Sequence, residues 1–188
     1  MLSTSRIKKN ILGAAILAML SFAAGGSARD TDKPHATNSG QPKATTPVPA
    51  NMPPRPAQVA KIEIPAIGLA TTVLEGDDER TLHLAVGHIP GTALPGPSGN
   101  VGLAAHRHTF FRPLQKISMG DLIRVSTVAG TFQYRVVSLR VVLPTAVEVL
   151  NNTQRPTLTL VTCYPFDFIG DAPNRFIVHA EMVPASPN

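Results

Sequence analysis

Residues 157–165 read Thr-Leu-Thr-Leu-Val-Thr-Cys-Tyr-Pro. The run Thr157–Thr162 is short, unbroken and rich in β-branched and aliphatic side chains, so it predicts a strand entering a core. Cys163 stands at the C-terminal end of that strand, and Tyr164-Pro165 then breaks regular structure. A nucleophile needs a rigid element behind it and open space ahead, and a strand end followed by a proline loop supplies both. The alternative is a cysteine that caps the strand and packs inward as a small hydrophobe. Cys163 is the sole cysteine of 188 residues, which excludes an intrachain disulfide and a multi-cysteine zinc site. In an oxidising compartment it also has no wrong partner within its own chain.

Working outward, further strands are predicted at Val59–Ile64, Thr71–Leu74, Val101–Ala105, Leu122–Thr127, Thr131–Leu143 and Arg175–Val183. Ala129-Gly130 between two of these runs signals a hairpin. Short helical turns are expected at Asp78–Leu84 and Phe110–Lys116, and no long amphipathic pattern appears. Seven or eight short strands in about 125 residues imply an all-β domain, either a closed barrel or a sandwich.

Two reactive side chains occupy strand-end contexts similar to that of Cys163. His106 follows the run Val101–Ala105, and Arg175 opens the run Arg175–Val183. A cysteine at neutral pH is only a few per cent thiolate, so it needs a base or a cation beside it to react well. Three such residues at the ends of three strands can converge on one rim of a barrel. His83 and His179 lie in apolar segments and are expected to be packing residues, and His88, beside Pro90-Gly91, is expected in a loop with a structural role.

Ala105-His106-Arg107, Thr109–Leu114, Thr157–Phe166 and Pro173–Val178, in this order, resemble the class D-like sortases. Ile62-Glu63-Ile64-Pro65 with Ile67-Gly68-Leu69, and Gly87-His88 with Pro90-Gly91, add weaker matches. The resemblance covers roughly residues 59–183. It implies a sortase-like eight-stranded β-barrel with the active site on its rim. It also implies a cysteine transpeptidase that cleaves a Leu-Pro-x-Thr-Gly-like sorting signal after the threonine, holds the acyl group as a thioester and passes it to an amine. Carried onto matching positions, Cys163 is the nucleophile, His106 the general acid/base and Arg175 the oxyanion and substrate-backbone donor. Thr162 becomes a positioner beside the thiol and the Tyr164 backbone N–H a second oxyanion donor. The connection Pro144–Pro156 becomes one wall of the signal groove, with Ala146, Val147 and Leu150 against the apolar half of the peptide.

The loop Pro165–Asn174 becomes the other wall. Its Phe166, Phe168 and Ile169 are explained equally by peptide binding and by packing onto the barrel. His108 stands where relatives more often carry aspartate, which leaves open what acid would orient His106; solvent exposure is expected for it. The resemblance implies exported proteins with a C-terminal sorting signal as partners, and an amine acceptor such as a cell-wall peptide. Acidic residues are dispersed, so no metal and no cofactor are expected. Two rivals stand beside this reading. An L,D-transpeptidase-like enzyme should carry a Ser-x-Gly-Cys-x-x-Arg run, and none surrounds Cys163. A non-catalytic β-barrel scaffold should have lost reactive residues, and all three are present.

The remaining chain speaks to location. Residues 1–28 carry Arg6, Lys8 and Lys9 before the uncharged apolar run Ile11–Ala24, then Gly25-Gly26-Ser27-Ala28. As a helix the run spans about 21 Å, or about 27 Å through Ala28, against a hydrocarbon layer of about 30 Å. Export with the positive end inside fits both a cleaved signal and a retained anchor. Residues 29–57 hold seven prolines among Thr, Ala and Asn and read as a disordered Pro-rich stalk. A stalk makes mechanical sense if its N-terminus stays in the membrane, which favours an anchor at the extracytoplasmic face. The folded domain is expected over 58–184, with 185–188 a tail. Seven basic residues face two acidic ones before residue 58, whereas ten face ten from there on. The net charge of +5 therefore belongs to the leader, and the domain shows no nucleic-acid footprint.

Overall fold

The structure, a computed structural model, describes residues 55–184. The apolar segment 1–28, residues 29–54 of the stalk and the tail 185–188 lie outside the described residues. Eight strands close into a barrel: β1 (Gln58–Ile64), β2 (Leu69–Glu75), β3 (Val86–His88), β4 (Asn100–Ala104), β5 (Leu122–Thr127), β6 (Gly130–Val142), β7 (Thr157–Tyr164) and β8 (Asn174–Met182). Round the barrel the order is β1-β2-β3-β4-β7-β8-β6-β5, with β5 pairing back onto β1. The barrel implied by the resemblance is therefore the one observed, and the sandwich is excluded.

Period-two alternation builds the core. In β1 the side chains of Ala60, Ile62 and Ile64 are buried while Lys61 is exposed. The same rule sends Val101 and Leu103 of β4, Ile123 and Val125 of β5, Leu158 and Leu160 of β7, and Val178 and Ala180 of β8 into one cluster. The hairpin expected at Ala129-Gly130 joins β5 to β6, with Thr127 paired to Gly130. Two neighbouring pairs are parallel, β2–β3 and β4–β7, and parallel neighbours need a crossover. A single short helix, α1 (Glu79–Leu84), supplies the first. Asp78 caps it by accepting from the Thr81 backbone N–H at 3.1 Å and the Thr81 hydroxyl at 2.6 Å. The second crossover runs through the β5–β6 hairpin and the 144–156 connection, which holds a 3-10 turn at Val147–Leu150.

Strand β3 was not legible as a strand, and His88 is not in a loop. It lies in β3, 2% exposed, with Nδ1 at 2.8 Å from Glu75 and Nε2 at 2.9 Å from the Ala93 carbonyl. Three residues are too few to display a period. Gly87 within them reads as a breaker, yet glycine is needed there. A Cβ at that position would stand 2.2 Å from the Gly76 carbonyl oxygen and 2.8 Å from Leu82 of α1. The glycine lets the crossover lie flat on the strand. No helix among the described residues is long and apolar enough to cross a membrane.

Candidate active site

Strands β7 and β8 run antiparallel in a register that sets Cys163 directly opposite Arg175, Thr162 opposite Phe176 and Tyr164 opposite Asn174. Leu158 and Leu160 point into the core, so alternation turns Cys163 to the other face of the sheet. Cross-strand partners share a face, so Arg175 and Cys163 project from the same side of the sheet. Cys163 is partly exposed rather than sealed. The Arg175 guanidinium donates to the carbonyls of Asn174 at 3.0 Å and Ala172 at 3.3 Å. Among the described residues no carboxylate pairs with it, so its charge is not neutralised locally.

On the other side of β7 lies β4, parallel, with Ala104 opposite Val161. The Ala105 N–H donates to the Val161 carbonyl, and the Thr162 hydroxyl donates to the Ala105 carbonyl at 2.7 Å. These two bonds lock the chain immediately before His106 to the chain immediately before Cys163. Thr162 is 2% exposed. It acts by fixing the strand end, and its hydroxyl is spent doing so.

The surroundings of His106 contain what the sequence left open. Its side chain is 19% exposed, and the Oε1 of Glu79 in α1 stands 3.5 Å from its Nε2. The same oxygen lies 3.2 Å from Nε2 of His83. The Glu79–His106 approach is of ion-pair length but lacks hydrogen-bond alignment, so His106 Nε2, itself shielded from solvent, has no hydrogen-bond partner. Burial holds the His106 imidazole below its ordinary pKa; the Glu79 carboxylate pulls it upward, and His108 and His83 depress it further. His108 is exposed as expected, yet its ring stacks on His106 with centroids 5.3 Å apart and planes 23° from parallel.

His83 corrects its expectation. Its side chain is 62% exposed and packs into no core; its ring centroid is 5.3 Å from that of His106. The reason is the shortness of α1, whose buried position is taken by Thr81 while Leu84 is also 55% exposed. His179 is half-buried, its Nδ1 3.2 Å from the Thr159 hydroxyl. Burial lowers its pKa.

Two connections flank Cys163 and Arg175, one tied down by one residue and the other by two, none of which had been assigned a role from the sequence. Asn100, 1% exposed, donates through Nδ2 to the carbonyls of Val149 and Asn151 at 3.1 and 3.2 Å. Its Oδ1 accepts from the hydroxyls of Thr157 and Thr159 at 3.2 and 2.8 Å. This one amide moors the 144–156 connection to the face of β4 and β7. Leu150 there lies over Gly102, where a Cβ would come within 3.1 Å of it. Ala146 is half-buried and Val147 is 67% exposed. The opposite loop, 165–173, is held by two arginines. Arg107 donates to the carbonyls of Phe168 and Gly170 at 2.7 and 2.8 Å, and Arg112 to the Phe166 carbonyl at 2.9 Å and Asp167 at 2.6 Å. Phe166 packs on the barrel, edge-on to Phe176 at 5.4 Å and to Tyr164 at 5.9 Å. Phe168 and Ile169 stay 45% and 96% exposed. Packing onto the barrel thus accounts for Phe166 and not for Ile169. A cavity of about 870 Å³ lies away from Cys163, between α1, Leu74 and Arg55-Pro56, and meets the cluster only at Glu79 and His83.

A closed eight-stranded barrel thus sets a thiol and a guanidinium-bearing residue opposite each other at adjoining strand ends. The family follows from comparison. The sortase domain family matches residues 62–183, and the chain belongs to the sortase family. It is 32% identical over 123 residues to the sortase D of Bacillus subtilis, a match covering 65% of this chain and 62% of that protein. It is 26% identical over 130 residues to a Listeria monocytogenes sortase A, covering 67% and 57%. The chain thus spans less than two thirds of the length of these relatives. Among solved structures it is similar to a Clostridium perfringens sortase D5 transpeptidase, 34% identical with a TM-score of 0.61 over 67% of this chain and 79% of that one. It is likewise similar to sortase A of Corynebacterium diphtheriae, 29% identical with a TM-score of 0.65 over 71% and 64%.

Proposed function

We propose that this protein is an extracytoplasmic transpeptidase. In this reading it cleaves a Leu-Pro-x-Thr-Gly-like signal through a Cys163 thioester and transfers the acyl group to an amine. The observation that carries the reading is the register of β7 against β8, which pairs Cys163 with Arg175, joined to the Thr162–Ala105 bond that anchors His106 alongside. The attack requires a thiolate, and expulsion of the peptide amine requires a proton donor, so imidazolium and thiolate must coexist in the active form. His106 takes the thiol proton and returns it to the leaving amine. It then accepts a proton from the incoming amine as the thioester is opened. Arg175 is no proton donor, because an arginine keeps its proton. It supplies fixed charge and N–H donors to the oxyanion, with the Tyr164 N–H as a second donor.

The flanking connections provide the peptide site. Val142 is the partner of Arg175 across β6 and β8, and the exposed Leu143 and Val147 follow it. With Ala146 and Leu150 they offer an apolar wall, which suits the Leu-Pro half of the signal. Phe168 and Ile169 form the rim opposite. Exported proteins bearing such a signal are the donors, and a cell-wall peptide amine is the acceptor that suits the location. The segment 1–28 serves as the membrane anchor and 29–57 as the stalk. The test is incubation of the full chain with a sorting peptide and an amine, followed by mass spectrometry of the protein and the products. Cys163→Ala should abolish turnover, and Arg175→Ala should lower kcat about 10²–10³-fold while the peptide still binds. Near-normal turnover by either variant contradicts the roles assigned.

A further inference from the structure

Glu79, His83 and His106 bring one carboxylate oxygen and two imidazole nitrogens within 4.8 Å of one another. We propose that this cluster is a Zn²⁺ site whose occupation switches the enzyme off by capturing His106. Zinc takes imidazole nitrogen and carboxylate oxygen at about 2.0–2.2 Å, so two ligands of a tetrahedral ion stand about 3.3 Å apart. The Glu79 oxygen lies 3.2 Å from His83 Nε2 and 3.5 Å from His106 Nε2, two tetrahedral edges already close to their ideal length. The third edge closes by a turn of the exposed His83 ring. Glu79 and His83 are four residues apart on α1 and so share one helix face.

A second observation points to a ligand independently of these distances. His106 Nε2 is shielded from solvent and faces this cluster without a hydrogen-bond partner, a condition that a native structure resolves with an ion or a water. The cavity of about 870 Å³ bordered by Glu79 and His83 offers an entry path and room for water in the fourth position. Two imidazoles and one carboxylate favour a transition metal over calcium or magnesium, which prefer all-oxygen shells. The site therefore does not conflict with the dispersal of acidic residues noted in the sequence. A zinc ion on Nε2 removes the ring from proton exchange with the thiol and the leaving amine. This inhibition rests on the role proposed for His106, whereas the binding does not.

The test titrates Zn²⁺ into the full chain carrying Cys163→Ala, so that the thiol contributes nothing, with calorimetry as the readout. The expected result is one site per chain. Introducing His83→Ala or Glu79→Gln in that background should weaken binding by about tenfold or more. Both side chains are well exposed, and circular dichroism verifies that the variants remain folded. Co²⁺ in the wild-type chain should give visible tetrahedral d–d bands without a thiolate charge-transfer band. Zinc should inhibit peptide cleavage by the wild-type chain, and His83→Ala should shift that inhibition to higher zinc. Binding unaffected by either substitution, or a cobalt spectrum showing thiolate ligation, overturns the site. Binding as expected with no inhibition refutes the role of His106 and leaves the site standing.

Discussion

Replacing Asn100 by alanine tests the claim that a single buried amide moors one wall of the groove. Four side-chain hydrogen bonds disappear: two donated to the carbonyls of Val149 and Asn151, two accepted from Thr157 and Thr159. The hydroxyls are not stranded. Thr157 keeps Thr153 at 2.8 Å, and Thr159 keeps His179 at 3.2 Å. The Val149 carbonyl keeps a longer bond, from the Thr159 hydroxyl at 3.4 Å, so the loss falls mainly on the Asn151 carbonyl and on the tether itself. At about 1 kcal/mol per net bond, and more for a buried group left unpaired, the cost is about 2–4 kcal/mol. A domain typically holds about 5–15 kcal/mol of stability, so the variant stays folded at 25 °C. Its Tm should fall by about 8–15 °C for a barrel of this size. Cys163 and Arg175 stand at the far end of a strand pair that its backbone ladder holds without the amide, whereas the segment carrying Val149 and Leu150 loses its tether. In the peptide-cleavage assay KM should therefore rise several-fold, with kcat changing far less. A melt within about 2 °C of the wild type, together with an unchanged KM, would show that the amide moors nothing.

The other wall makes a parallel case. Arg107→Ala removes the donors to Phe168 and Gly170 while Arg112 keeps Phe166 and Asp167, so the melt should hardly move and chymotrypsin should cut after Phe168 faster; an unaltered cleavage rate contradicts this tether. Tyr134 is fully enclosed, and its hydroxyl lacks an aligned hydrogen-bond partner, although the Gly96 backbone lies close enough to favour the phenolate. Tyr134→Phe should raise stability by about 1 kcal/mol in urea titration, since it removes an unpaired buried group. Burial also pushes the Tyr134 phenol up to about 12. Between its unfolded value near 10 and that figure the folded state holds the proton more tightly, so stability present below pH 10 is lost as pH rises towards 12. The phenylalanine variant should lack this component of the alkaline decline, and an identical decline in both proteins sinks the argument.

The legible part of this protein is the part written in local periods. Alternation in Gln58–Ile64 or Leu122–Thr127 reports a half-buried strand regardless of its partner, and a thiol before Tyr-Pro declares a strand end. The short β3 escaped because its meaning lies in contact with Gly76 and Leu82, not in its own three residues. Asn100 and the pair Arg107 and Arg112 escaped for a related reason: each acts through backbone carbonyls 49 to 63 residues away. A carbonyl has no sequence signature, since every residue carries one.

The same logic explains why the acid beside His106 could not be found by scanning the motif around it. The position two residues on holds His108, a second imidazole that stacks on the ring instead of presenting a carboxylate. The carboxylate arrives from Glu79, on the helix that carries the chain from β2 to the parallel β3. That helix exists because a parallel pair demands a crossover. Its cap at Asp78 fixes where the first turn begins, and hence which side chain reaches the imidazole. The electrostatics of the proposed acid/base are thus set by barrel topology, through a residue that no spacing rule connects to it. Two exposed side chains of that helix share one oxygen-and-nitrogen cluster with His106. Any change that frays α1 should therefore register first in the chemistry of the imidazole and only secondarily in the stability of the barrel.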